Sequence, residues 1–196
     1  MPISIHQLKN DSEVREILAW PFDFDLANNQ LGTDRFKVEP AAETTIVAND
    51  GSCGIFLQYG AGQHLMHITS EGAAGIIARD LTEAIQLFVT YPYWRDLLGL
   101  SGGGSPNEMR RAVPFLEREI QEDEPEINRY RSLLSARLGL QANADAIVLL
   151  YEAVTVLGSG IKVEGSKGVL RGLFGECGVD DNHAWVPAEP HYAPES

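Results

Sequence analysis

Short apolar segments separated by turn residues dominate residues 44–78 of this chain. Four of these segments are rich in β-branched or aromatic side chains, as strands usually are. They are Thr44–Ala48, Ile55–Tyr59, His64–Thr69 and Ala74–Ala78. The turns between them contain glycine, as in Asn49-Asp50-Gly51, where Gly and Asn tolerate a positive φ. Four such segments, spaced about ten residues apart, predict an antiparallel meander.

Apolar positions at helical spacing predict helices on both sides of this meander. Asp11 or Ser12 caps a short N-terminal helix that stops before Pro21. Asp80 opens a second helix as part of a capping box, and a short helical turn follows it over Trp94–Leu98. Three further helices are predicted. The first starts at Ser105, the second runs over Glu124–Leu138 and the third over Asp145–Leu157.

Two segments with weaker patterns complete the predicted fold. Phe22–Leu26 alternates apolar and acidic residues, which predicts an edge strand with one wet face. Ile161–Glu164 and Val169–Phe174 resemble a C-terminal hairpin. We therefore expect an α+β fold in which one mostly antiparallel sheet, the meander plus this hairpin, is packed by several helices. Residues 1–175 would form one domain with a flexible glycine link at 101–105, and residues 176–196 a loose tail.

The charge balance limits the classes of partner. The 196 residues carry 28 acids against 15 Lys and Arg, a formal net charge of -13. Nucleic-acid binding needs a basic surface, so we expect no nucleic-acid partner, and the same excess of acids disfavours anionic membranes. No signal-peptide pattern or membrane-length apolar run is visible, and two cysteines do not make a disulfide framework. These features predict a cytoplasmic protein without a membrane partner.

The densest group of acids lies where one predicted helix ends and the next begins. Its members are Glu117, Glu119, Glu122, Asp123, Glu124 and Glu126. Acids near a helix N-terminus complement the helix dipole, which accounts for Asp123, Glu124 and Glu126. It does not account for the three acids at the end of the preceding helix, Glu117, Glu119 and Glu122. Two interpretations stay open: a solvated face that serves solubility, or a docking patch for a cationic protein partner.

Residues with the potential for chemistry have simpler structural explanations. His64 and His67 lie three apart on a predicted strand, so they face opposite sides, cannot share one metal ion, and should be one partly buried and one exposed. Cys53 lacks the basic neighbour that would stabilise a thiolate, and we expect a small buried side chain. Glu71 lies in a glycine-containing turn, where it could bind a ligand amine or, as we favour, accept backbone N–H bonds.

We find no phosphate-binding loop or G-x-S-x-G motif in the sequence and expect no catalytic residue, cofactor or metal.

The order of elements from Ile46 to Leu98 resembles the SUKH superfamily, shared by fungal cell-wall assembly regulators and many bacterial immunity proteins. The residues that carry this resemblance are the turn Asn49-Asp50-Gly51-Ser52-Cys53-Gly54, the segment Glu71-Gly72-Ala73-Ala74-Gly75-Ile76-Ile77-Ala78, the helix from Asp80, and Pro92-Tyr93-Trp94. The similarity covers about fifty residues. It implies an α+β fold and a non-enzymatic binding role, and in bacteria commonly the neutralisation of toxins, often nucleases.

The resulting expectation is a protein-binding domain that acts as an immunity protein against a toxin, with an acidic surface meeting a basic toxin domain. A regulatory or scaffold domain that binds another protein is the first alternative. A hydrolase with an unfamiliar site is the second.

Overall fold

The antiparallel meander forms the centre of the molecule. In the computed structural model, which describes residues 2–26, 35–141, 145–179 and 185–187, its strands pair in sequence order. They are β2 (Thr44–Asn49), β3 (Ile55–Tyr59), β4 (His64–Ile68) and β5 (Ala74–Ala78), and they follow the short strand β1 (Lys37–Glu39). Register places Phe56 opposite His67 on β3 and β4. The predicted four-strand meander is therefore confirmed.

Helices precede and follow the meander along the described chain. They are α1 (Ile5–Asn10), α2 (Ser12–Ala19), α3 (Leu81–Thr90), α4 (Trp94–Gly99), α5 (Pro106–Asp123), α6 (Ile127–Leu138) and α7 (Ala146–Glu152), which continues as a π-helical turn over Ala153–Leu157. Local capping explains several of their ends. The Asp80 carboxylate accepts from the Glu83 N–H at 2.9 Å at the start of α3, and α6 ends on Gly139 in the left-handed conformation at φ 63°.

The C-terminal hairpin does not extend the meander. Its strands β6 (Lys162–Gly165) and β7 (Gly168–Val169) pair with each other, and β6 also pairs with β1, which makes a second, three-stranded antiparallel sheet. The α+β class is thus confirmed, whereas the prediction of one sheet is wrong. A β-bridge at Ala73 and Arg171 links the end of the hairpin to the edge of the meander.

Both faces of the meander are buried, each against a different layer. On one face Phe56, Leu65 and Ile77 pack against the helices in the larger core cluster. On the other face Leu57 and Met66 pack against the π-helical turn and the second sheet. Burial on both faces explains why the strands are nearly continuous apolar runs.

The segment Phe22–Leu26 is not a strand. Phe22, Phe24 and Leu26 are buried, and the segment is linked to the meander by one β-bridge between Asp25 and Asn49. The predicted alternation of apolar and polar residues is therefore real, but the prediction of an edge strand is wrong. The three apolar side chains fill the core between the meander and the helices instead.

The glycine segment 101–105 is hydrogen-bonded to the chain that follows the second sheet. Gly102 and Gly103 donate their N–H groups to the carbonyls of Cys177 and Gly175 at 2.8 Å each, and Ser101 is buried. Cys177–Val179 (β8) in turn pairs with Trp185–Pro187 (β9), inside the segment predicted to be a loose tail. The mobility of the link and of the tail stays a prediction. In the parts of the chain that the structure describes, no helix is both long enough and apolar enough to cross a membrane.

Candidate functional site

A buried carboxylate lies directly after β2, where the chain turns into β3. Asp50 Oδ1 accepts the backbone N–H groups of Ser52 at 2.9 Å and Gly54 at 2.7 Å. Its Oδ2 lies 2.8 Å from His67 Nε2 and accepts Arg95 Nη1 at 3.0 Å. The Asn49-Asp50-Gly51 turn thus positions an anion at the junction of β2, β4 and α4.

Arg95 joins this carboxylate to a second one. Its other terminal nitrogen is bonded to Asp23, whose carboxylate also accepts the Gly51 N–H at 2.6 Å. The guanidinium carbon lies 5.7 Å from the centre of the Trp94 ring, a cation–π distance. We call Asp23, Asp50, His67 and Arg95 the buried polar network after its two buried members, Asp50 and His67; the side chains of Asp23 and Arg95 are 27% and 34% exposed. It connects the segment before β1 with the meander and α4.

His67 is the fully buried member of the network, with no exposed side-chain surface. Its ring stacks on Phe56 at 4.5 Å between ring centres and meets Trp94 edge-on at 5.2 Å. Burial lowers the pKa of His67 and outweighs Asp50, which raises it. Burial alone would raise the pKa of Asp50, but the hydrogen bond from His67, the Gly54 N–H and the Arg95 charge lower it.

These pKa directions assign the proton on the ring. An ionised Asp50 accepts hydrogen bonds only, so a neutral His67 carries its proton on Nε2 and donates it to Asp50. Nδ1 then presents a lone pair. Within the described residues, Nδ1 has no hydrogen-bond partner although it is buried. His67 therefore offers an oriented hydrogen-bond acceptor that the fold itself leaves unused.

A cleft of about 240 Å³ lies beside His67, between α4 and the segment 171–175. Its apolar wall contains Trp94, Leu98, Leu173 and Phe174. Its polar wall contains His67, Thr69, Glu71, Arg95 and Arg171. The bridge between Ala73 and Arg171 places the glycine-containing turn of Glu71 next to Arg171, because Arg171 donates its N–H to the Gly72 carbonyl at 3.0 Å.

The residues singled out from the sequence have mixed outcomes. His64 and His67 do not meet: His67 is buried, and His64 Nδ1 lies 2.8 Å from the Arg79 carbonyl. The expectation that Cys53 is buried is wrong, because its backbone lies in the left-handed region at φ 68° within an exposed turn, and the side chain is exposed. Glu71 is exposed and accepts the Ser70 hydroxyl, and this bond is the main cause of its lowered pKa.

The acid group at the junction of α5 and α6 divides into two parts. Glu117 belongs to the interior side: it is bound by Arg131 at 2.6 and 2.9 Å and by the Tyr93 hydroxyl at 2.9 Å. Burial alone would raise the pKa of Glu117, but hydrogen bonds from Arg131, Gln121 and Tyr93 lower it. Glu117 therefore ties α5 to α6 through an ion pair, and its part in docking a partner stays a prediction.

The other members of the group face outward. Glu119, Glu122 and Asp123 are exposed and Glu124 is partly exposed, and these four carboxylates make no ion pair or hydrogen bond within the described chain. We call these four residues the acidic surface. Glu126 is exposed as well, but it is held by Arg129 at 2.6 Å and by the Tyr130 hydroxyl at 3.1 Å.

The sequence pattern does not predict the buried polar network. It predicts a turn at Asp50 and a strand at His67, and it gives no sign that Asp23 and Arg95 belong with them. One signal was present: a polar His within the apolar run Leu65-Met66-His67-Ile68 needs a partner once the strand is buried on both faces. The identity of that partner depends on packing that brings residues 23, 50 and 95 together.

No protein-family model, curated protein or solved structure matches this chain. No group of three or more potential metal ligands comes together among the residues that the structure describes.

Proposed function

We propose that this protein is a non-enzymatic protein-binding domain of the SUKH type and acts as an immunity protein in the cytoplasm. Its partner would be a toxin domain with a basic substrate-binding face, which the bound protein would cover. The observation that carries the proposal is the acidic surface, four carboxylates within six positions that no cation of the described chain neutralises.

The physical reason is electrostatic. Like charges that stay unpaired next to one another repel and contribute nothing to folding. A basic partner would relieve that repulsion, and its long-range attraction would speed the encounter. Partly buried apolar residues beside the acidic surface, Phe115 and Ile120, would supply contact area once the two proteins meet.

The state of the buried polar network also supports a binding role. The carboxylates of Asp23 and Asp50 are both bonded to Arg95 and to backbone N–H groups of the β2–β3 turn. Groups tied in this way hold the fold together and are poorly placed to transfer protons to a substrate.

Charge reversal on the acidic surface tests the proposal. A pull-down from the source cells with mass spectrometry identifies the partner, and binding kinetics then compare the wild type with Glu122→Lys, Asp123→Lys, Glu124→Lys. We expect the association rate of this triple variant to fall several-fold at low salt and less at high salt, because exposed charges are screened over about 10 Å at 0.1 M.

A matched control separates local from global charge. Glu16→Lys, Glu43→Lys, Glu152→Lys makes the same change in net charge at exposed positions outside the acidic surface. If this control slows association as much as the first variant, the acidic surface is not the docking site. A retained partner that is not toxic to cells would replace the immunity role by a regulatory one, and turnover of a substrate that is lost on one mutation would replace it by an enzymatic one.

A further inference from the structure

The cleft beside His67 combines features that the proposed function does not use. We propose that it binds a free α-amino acid with an apolar side chain. The first reason is the unused lone pair on His67 Nδ1: His67 lines the cleft, and this buried atom has no partner among the described residues. Buried polar atoms are nearly always hydrogen-bonded, so a donor from outside the chain, a ligand or a water, is expected there.

Two unpaired charges of opposite sign line the same cleft. Arg171 is exposed and makes no ion pair or side-chain hydrogen bond within the described chain. Glu71 accepts the Ser70 hydroxyl and makes no ion pair within the described chain. The two residues lie on neighbouring segments, yet they do not pair with each other. A zwitterion would satisfy both, with its carboxylate on Arg171 and its ammonium group shared by Glu71 and His67 Nδ1.

Arg95 does not compete with Arg171 for the carboxylate. Its two terminal nitrogens are already bonded to Asp23 and Asp50, which neutralise its charge. Among the described residues that line the cleft, the positive charge without an anionic partner is therefore at Arg171. This asymmetry fixes the direction of the ligand, because the carboxylate lies at the segment 171–175 and the ammonium group at the sheet.

The apolar wall and the volume set the kind of side chain. Trp94, Leu98, Leu173 and Phe174 offer hydrophobic contact to whatever lies between the charged groups. About 240 Å³ is below the range of about 300–1,000 Å³ that is typical of pockets for drug-sized ligands. The cleft thus fits one amino acid of the size of leucine or methionine better than a longer peptide.

Nitrogen NMR of the histidine rings tests this proposal directly. The full ¹⁵N-labelled chain is titrated with leucine, leucinamide and N-acetylleucine, and the Nδ1 shift of His67 is followed. We expect a saturable shift with leucine alone, since leucinamide lacks the carboxylate and N-acetylleucine lacks the ammonium group. Absence of a saturable shift with leucine, as expected if a water occupies Nδ1, would overturn the proposal. Equal binding of N-acetylleucine would also overturn it, in favour of a site for peptide C-termini.

Single substitutions assign the two charges. Arg171→Gln and Glu71→Gln keep the backbone bridge and should each weaken leucine binding by about tenfold or more, the effect of one lost hydrogen bond between charged groups. Arg79→Gln, an exposed arginine at the other end of β5, is the matched control and should bind as the wild type does. Unchanged leucine affinity in both cleft variants would show that the ligand lies elsewhere.

Discussion

Four hydrogen bonds converge on the single carboxylate of Asp50, and two of them come from side chains that are distant in sequence. A buried anion is costly unless such partners compensate for its lost hydration. Arg95 and the backbone N–H groups provide that compensation, and His67 completes it. The residue therefore acts as the joint at which the β2–β3 turn, β4 and α4 meet.

Replacing Asp50 by Asn should show how much the Asp50 carboxylate contributes to the free energy of unfolding. The Asn Oδ1 can still accept backbone N–H groups, but its Nδ2 would face the N–H donors of His67 and Arg95. We expect the free energy of unfolding to fall by about 3–5 kcal/mol, as for other broken buried pairs. Urea denaturation measures the change, with Asp123→Asn on the acidic surface as the control that should stay near the wild type. Equal midpoints for both variants would contradict a structural role for Asp50.

As the pH falls, the protonation of His67 should destabilise the folded protein at a higher pH than the protonation of the carboxylates does. The pKa of His67 in the folded protein lies below its ordinary value of 6.5, so the unfolded chain binds a proton first. The stability that depends on neutral His67 is complete above pH 6.5 and is lost as the pH falls below that value. Asp50, whose pKa is lowered from 3.8, contributes in the same direction at still lower pH.

The measurement is the free energy of unfolding at several pH values between 8 and 5. In His67→Gln, the free energy of unfolding should fall less steeply below pH 6.5 than in the wild type. His6→Gln, at an exposed position on α1, is the control and should keep the wild-type dependence on pH. A slope that His67→Gln does not alter would mean that another group titrates there.

At the scale of elements, one tryptophan anchors α4 to the sheet. Trp94 is 1% exposed and contacts Phe56 and Phe88 in the larger core cluster. Trp94→Ala should lower the free energy of unfolding by about 3–5 kcal/mol, because the cavity left by an aromatic side chain closes only in part. Trp20→Ala is the matched control: Trp20 is 72% exposed, so its removal should change stability little. Thermal or urea denaturation compares the two, and a similar loss for both would contradict this assignment.

Elements with strong local signals could be predicted from the sequence. The meander follows from β-branched segments alternating with glycine-containing turns, and α3 from a capping box in which the Asp80 carboxylate and the Glu83 N–H form the expected bond. Gly139 ends α6 in the left-handed conformation, as its position after an apolar stripe predicts. These signals lie within a few residues of the structure that they determine.

The remaining elements depend on contacts between distant parts of the chain. Lys37–Glu39 is too short to predict as a strand, and its partner is Lys162–Gly165 rather than the meander. In the sequence Glu117 is one of several neighbouring acids, and its ion pair with Arg131 depends on the packing of α6 against α5. In the same way the candidate cleft requires Arg171 to meet the turn at Glu71, and nothing local in either segment encodes that meeting.

At the scale of the whole molecule, the segment after the second sheet returns to the start of α5. Gly102 and Gly103 bond to Cys177 and Gly175, and β8 also contacts α5. The glycines at 102–104 have positive φ values, which other residues adopt at a cost. The stability of this glycine segment should therefore depend on residues that the sequence assigns to a separate tail.

Limited proteolysis can test that dependence. A variant that ends at Gly175 loses the Cys177 carbonyl, so Gly102 loses its hydrogen-bond partner and β8 no longer covers α5. We expect a protease to cut within 101–105 slowly in the full chain and several-fold faster in the truncated one, because proteases select locally unfolded backbone. Intact-mass measurement locates the cuts, and the turn at Gly60-Ala61-Gly62 serves as the internal control, since it lies in the meander and should be cut at the same rate in both. Rapid cutting at 101–105 in the full chain would show instead that the segment is a flexible link despite its hydrogen bonds.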